Sequence, residues 1–76
     1  VKEPDRRLDL VDLGREVQQR CRHRPPSVTV EDEGGPVEVM ANRERLVQAL
    51  EHLVRNAQEA TPATGSVTLR VRRGSR

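Results

Sequence analysis

Between Asn42 and Pro62 the apolar residues fall at 46, 50, 53, 57 and 60, in alternating steps of four and three. Val47, Ala49 and Val54 stand beside them. This spacing fits one face of an α-helix and predicts a helix from about Arg43 to Ala60 with one side buried. Asn42 stands where an N-cap belongs, its side-chain oxygen placed to accept from a first-turn N–H. Thr61-Pro62 ends the helix, because proline cannot continue it and restricts the residue before it. Such a helix has a surface to cover, and that constrains the rest of the chain.

The remaining segments supply a sheet. Ala63-Thr64-Gly65 reads as a loop. In Ser66–Arg73, Val67, Leu69 and Val71 alternate with Thr68, Arg70 and Arg72, the pattern of a half-buried strand. Ser27–Glu31 alternates too, with Val28 and Val30 on one face. Glu33-Gly34-Gly35-Pro36 is a turn, and Val37, Val39 and Met40 give a second short strand, so the two are expected to form a β-hairpin. Upstream, Leu13, Val17 and Cys21 recur every fourth residue as a narrower helical stripe. Asp12 is its expected cap, and Pro25-Pro26 ends it by residue 24. Gly14 inside that helix costs about 1 kcal/mol relative to alanine. Residues 1–9 are polar, carry Pro4 and read as a linker, and Gly74-Ser75-Arg76 reads as the start of a turn. The order helix, two short strands, long helix, strand predicts a two-layer α/β sandwich.

Composition says how well such a layer could stand alone. The 76 residues allow one domain and include no Phe, Tyr or Trp, the side chains that bury most area each. Hydrophobic residues are 33% and charged residues 34%, close to disordered composition, so the chain is expected to need more chain or a partner for stability. The net charge of +2 comes from interspersed acids and arginines, the pattern of a solvated surface. A small basic nucleic-acid or partner-binding module would have to use Arg70, Arg72, Arg73 and Arg76, with no aromatic to stack on bases. Cys21 is the only cysteine, no apolar run approaches the ~20 residues of a membrane span, and the N-terminus lacks a signal-peptide core. No membrane contact by this segment and a cytoplasmic setting are therefore expected, with any membrane anchor of a parent protein elsewhere.

Polar residues on the long helix carry the chemistry. With Leu46 at zero and about 100° per residue, Leu50, Leu53, Ala57 and Ala60 lie within about 40° of zero. Asn56 falls near 280°, His52 near 240° and Glu59 near 220°, along one edge of the apolar stripe. Asparagine is a poor interior helix residue, because its amide competes for backbone hydrogen bonds. Asn56 could bond a neighbouring loop, or it could offer a neutral oxygen to a hard cation such as Mg²⁺, which prefers oxygen and bridges to phosphates.

Residues 42–71, NRERLVQALEHLVRNAQEATPATGSVTLRV, resemble the N-box region of the GHKL ATPase superfamily in its histidine-kinase branch. The usual pattern there is Asp-x-x-x-Leu-x-Gln-x-Leu-x-Asn-Leu-x-x-Asn-Ala-x-x-x-Thr-Pro, a glycine-bearing loop and an alternating strand. Arg45-Leu46, Gln48, Leu50, Leu53, Asn56-Ala57, Thr61-Pro62 and Gly65 carry the match, and Val11-Asp12-Leu13 opening a helix extends it over roughly residues 8–73. The resemblance implies a Bergerat-type sandwich, with residues 10–76 as the N-terminal half of an ATP-binding domain. It implies that ATP and Mg²⁺ are bound, with Asn56 as the magnesium ligand. In the family, the γ-phosphoryl group passes to a histidine on a separate dimerisation domain, then to an aspartate on a response regulator.

The chain departs from the family pattern at several places. His52 stands where many members have a first Asn; it could bond a phosphate or a water, or face solvent. Glu59 stands where many have a phosphate-touching lysine, a role a carboxylate cannot fill; it could orient a water or face solvent. Asn42 replaces the common Asp, a neutral swap for capping. The Asp-x-Gly-x-Gly box for adenine, the glycine-rich lid and the phosphoacceptor histidine motif are not in these 76 residues. The fragment alone is therefore expected to be inactive.

Overall fold

The computed structural model describes residues 4–72. Six elements follow one another: β1 (Arg6–Asp9), α1 (Leu10–Arg20), β2 (Ser27–Asp32), β3 (Glu38–Ala41), α2 (Arg43–Ala60) and β4 (Ser66–Val71). They make a small mixed α/β domain with two helices and two two-stranded sheets. The long helix has the bounds its period predicts. Asn42 caps it, its Oδ1 accepting from Arg45 N at 3.0 Å.

The strand pairing differs from the expected hairpin. β2 pairs in parallel with β4, from Ser27↔Ser66 to Asp32↔Val71, and β3 pairs antiparallel with β1, from Arg6↔Ala41 to Asp9↔Glu38. Alternation tells which face of a strand is buried but carries no information about its neighbour. Gly34 and Gly35, at φ +119° and +93°, occupy backbone that suits glycine and lead the chain away from β2. Glu33 N donates instead to Val71 O at 3.1 Å, which prolongs the β2–β4 pairing. Parallel neighbours need a crossover of a dozen residues or more, and β3 and α2 lie within the one joining β2 to β4.

Residues 6–9, within the stretch read as a linker, form a strand whose last residue caps α1. Asp9, and not Asp12, is the N-cap. Its Oδ1 accepts from Val11 N at 3.0 Å and from Val37 N at 3.3 Å, and Leu10 N donates to Val37 O at 2.8 Å. Both aspartates suit a cap locally; the bonds to Val37, distant in sequence, favour Asp9. The helix itself stops at Arg20, before the prolines.

The core lies between the helices and one face of the β2–β4 sheet. Leu13, Val17 and Cys21 of the predicted α1 stripe are buried with Val28, Val47, Val54 and Val67. Thr29, Glu31, Thr68 and Arg70 line the opposite, exposed face of the sheet. Gly14 has a packing reason: a Cβ there would stand 3.2 Å from Leu69 Cδ2 and 3.6 Å from Val30 Cγ1, so the missing side chain lets α1 lie close on the sheet.

α2 is turned differently from its predicted stripe. Val47, Val54 and Gln58 are buried, Leu46, Leu50 and Ala57 are half-buried, Ala60 is exposed, and Leu53 is 61% exposed. The buried line is therefore centred about 90° from Leu46 on the helical wheel. Contacts with α1 and β4 set this rotation, along with the anchoring of Gln58 described below.

Candidate functional site

The outward side of α2 carries the candidate residues. Asn56 and His52 are exposed one turn apart, and Glu59 is exposed in the next turn. Neither Asn56 nor His52 forms a side-chain hydrogen bond or ion pair with another described residue. The reading of Asn56 as an anchor for a neighbouring loop thus finds no partner among the described residues. Glu59 has one: Arg24 Nη1 donates to its Oε1 at 3.3 Å, across from the loop after α1. That pair is exposed at both ends and contributes about 0–1 kcal/mol. The structure therefore keeps Asn56 and His52 together and turns Glu59 towards Arg24.

Apolar surface flanks the pair. Leu53 lies between His52 and Asn56 in sequence, and Ala49 and Ala60 are exposed on the same side. Near the start of the helix, Met40 is 65% exposed and joins Asp5, Ala41, Asn42, Arg45, Leu46 and Ala49 around an open concavity of about 400 Å³. The outer side of α2 thus combines uncovered apolar surface with two unengaged polar groups.

The Thr61-Pro62-Ala63-Thr64-Gly65 segment fixes how α2 hands over to β4. Thr61 Oγ1 donates to Ala57 O at 2.6 Å, and Gly65 N donates to Pro62 O at 2.8 Å. A Cβ on Gly65 would lie 2.8 Å from Thr61 Cγ2 and 3.2 Å from Pro62 O, so the turn has no room for a side chain. These motif residues are explained by turn geometry alone.

Gln58 was not legible from the stripe. It is 3% exposed, and its Nε2 donates to the carbonyls of Arg24 at 2.7 Å and of Cys21 and Pro26 at 3.1 Å. One side chain thus pins the α1–β2 loop to α2. Its signal was its angle: it lies beside Val47 and Val54, so a wheel centred on the valines would have shown a polar residue in a buried line. Cys21, next to it, has its thiol pKa raised, first by burial and then by the Glu51 carboxylate, with Arg55 opposing. The thiol is a packing group rather than a nucleophile.

No group of three or more His, Cys, Asp and Glu side chains among the described residues is arranged to hold a metal ion. No helix among them is long and apolar enough to cross a membrane. No protein-family model, curated protein or solved structure matches the chain.

Proposed function

We propose that this chain is the N-terminal half of a histidine-kinase ATP-binding domain of Bergerat type, and that the outer side of α2 faces Mg-ATP. The observation that carries the reading is Asn56. It sits in the interior of a capped 18-residue helix, exposed and without a hydrogen-bond partner among the described residues. Its position matches the resemblance, five residues before the Thr61-Pro62 that closes the helix.

The donor chemistry fits the ion. Magnesium usually keeps several waters and binds through one or two protein oxygens plus substrate phosphates, so a lone carboxamide oxygen is an adequate protein ligand. A neutral ligand also adds no negative charge beside a triphosphate. His52, one turn away, is placed to donate a hydrogen bond to a phosphate oxygen or a water. Glu59, engaged by Arg24, is not assigned to the nucleotide. Adenine recognition, lid closure and the acceptor histidine belong to other parts of the parent protein. Its partners are the histidine-bearing dimerisation domain and a response regulator, in a cytoplasmic setting.

The alternative, a basic nucleic-acid or partner-binding module, is weakened by Arg70, whose guanidinium lies 3.5 Å from Glu31 and 3.9 Å from Glu33. Arg73 and Arg76 lie outside the described residues. The test is autophosphorylation of the parent kinase carrying Asn56→Ala, with circular dichroism to show that the fold persists. The proposal predicts loss of phosphotransfer with an unchanged spectrum; retained activity would sink the role of Asn56.

A further inference from the structure

The outer side of α2 has a repeat of its own. Leu46, Ala49, Leu53, Asn56 and Ala60 follow one another in steps of three and four, the spacing that keeps one seam of a helix turned towards a second helix. Leu46 is half-buried and the other four are exposed, so the chain's own core does not cover this seam. Residues three and four apart are neighbours on a helix surface, so Leu46, Ala49 and Leu53 join into one patch. Met40, 65% exposed, extends it past the N-terminal end of α2, where the open concavity of about 400 Å³ lies.

The two flanks of the seam differ. On one side lie Leu50 and Ala57, half-buried against the core. On the other lie Arg45 in the first turn and Glu59 in the last, both exposed. Arg45 forms no ion pair with another described residue, and Glu59 has its exposed pair with Arg24. A flank with a base at one end and an acid at the other complements a copy of itself when the two run antiparallel. Two copies of α2 related by a two-fold axis can set Leu53 against Ala49 of the second copy. Arg45 then stands opposite Glu59 of the second copy, and by symmetry Glu59 stands opposite its Arg45. Leucine meets alanine in this register, which lets the helices approach closely. Parallel packing would set Arg45 against Arg45 and Glu59 against Glu59, and would align the helix dipoles.

We propose that the outer side of α2 is a self-association surface, with a second copy of this chain as its occupant, α2 packed antiparallel on α2 and Arg45 paired with Glu59 at both ends. Asn56 within the seam holds the register at a cost in affinity, and one helix face makes a small interface, so the dissociation constant is on the order of 100 µM. The inference does not rest on the nucleotide reading. Because Asn56 stands in the same seam, a second copy and Mg-ATP would exclude each other there.

The test is sedimentation equilibrium of the 76-residue chain from about 5 µM to about 1 mM. The expected result is a mass that rises from monomer to dimer and stops there. Leu53→Glu should abolish the rise, since it sets a charge into the seam. Arg45→Glu should weaken association about fivefold, because both end pairs become pairs of like charge. Arg45→Glu and Glu59→Arg in the same chain should restore it. Both swaps suit α2 itself, with an acid in its first turn and a base in its last, so circular dichroism should show the fold retained. They decide the matter should Leu53→Glu fail to fold. A monomer mass throughout would overturn the proposal and leave the face to another occupant. A dimer that ignores Leu53→Glu, or that the double swap does not restore, would place the contact elsewhere and overturn it as well. So would a mass that climbs past the dimer without a plateau.

Discussion

α1 and α2 are both amphipathic, yet they spend their apolar residues differently. α1 and its C-cap turn Leu13, Val17 and Cys21 inward, the whole stripe the spacing predicts. α2 turns Val47, Val54 and Gln58 inward and leaves Leu53 and Ala60 exposed. The first helix is used up by this chain's own core. The second carries apolar surface that this core does not cover, and Asn56 and His52 stand at its edge. Apolar residues left on one side of a helix become a contact surface where they join into a patch. In the proposed function, what meets that surface is the nucleotide and the chain that encloses it.

The contrast can be broken most severely in α1. Leu13→Ala should cost about 2–5 kcal/mol, since it empties a well-packed buried position. In a chain this small that loss should abolish a cooperative thermal melt read by circular dichroism. Gln58→Leu comes next: it keeps the volume but strands the carbonyls of Cys21, Arg24 and Pro26, and should cost about 2–3 kcal/mol in urea denaturation. Cys21 tests burial by chemistry. Its raised pKa leaves little thiolate, so iodoacetamide at pH 8 should label it far more slowly in the native chain than in urea. Equal rates would mean that α1 does not hold its stripe closed. Leu53→Gln should be the mildest, within about 0.5 kcal/mol here. The same change in the parent domain should cost about 2 kcal/mol if downstream chain covers that face. A large cost in the short chain would mean that α2 is turned otherwise than described.

These differences also show what was legible from residues alone. The bounds of α2 were readable because its cap, its period and its terminating Thr-Pro agree. The buried faces of β2 and β4 were readable because alternation is a local property. The partners of the strands were not, since pairing depends on where the crossover carries the chain. The hairpin expectation failed on that point, with Glu33 bonding to Val71 and β3 turning to β1. The choice of Asp9 over Asp12 rested on Val37, distant in sequence. The rotation of α2 was hidden because its leucines outweigh its valines in any stripe count, and because a buried glutamine looks like a surface residue until its three carbonyls are placed. Asn56 and His52 stood out as polar residues beside the apolar stripe, and both are exposed. Glu59 stood out equally, but its pairing with Arg24 depends on the loop after α1.

The central claim is that Asn56 supplies an oxygen to magnesium when nucleotide is bound. The direct measurement is calorimetric ATP binding to the proposed parent ATP-binding domain, with Mg²⁺ and with EDTA, for the native sequence and for Asn56→Ala. The account predicts that magnesium tightens ATP binding to the native domain, and that Asn56→Ala loses most of this gain, with binding in EDTA nearly unchanged. An Asn56→Ala domain with the same magnesium dependence as the native one would contradict it.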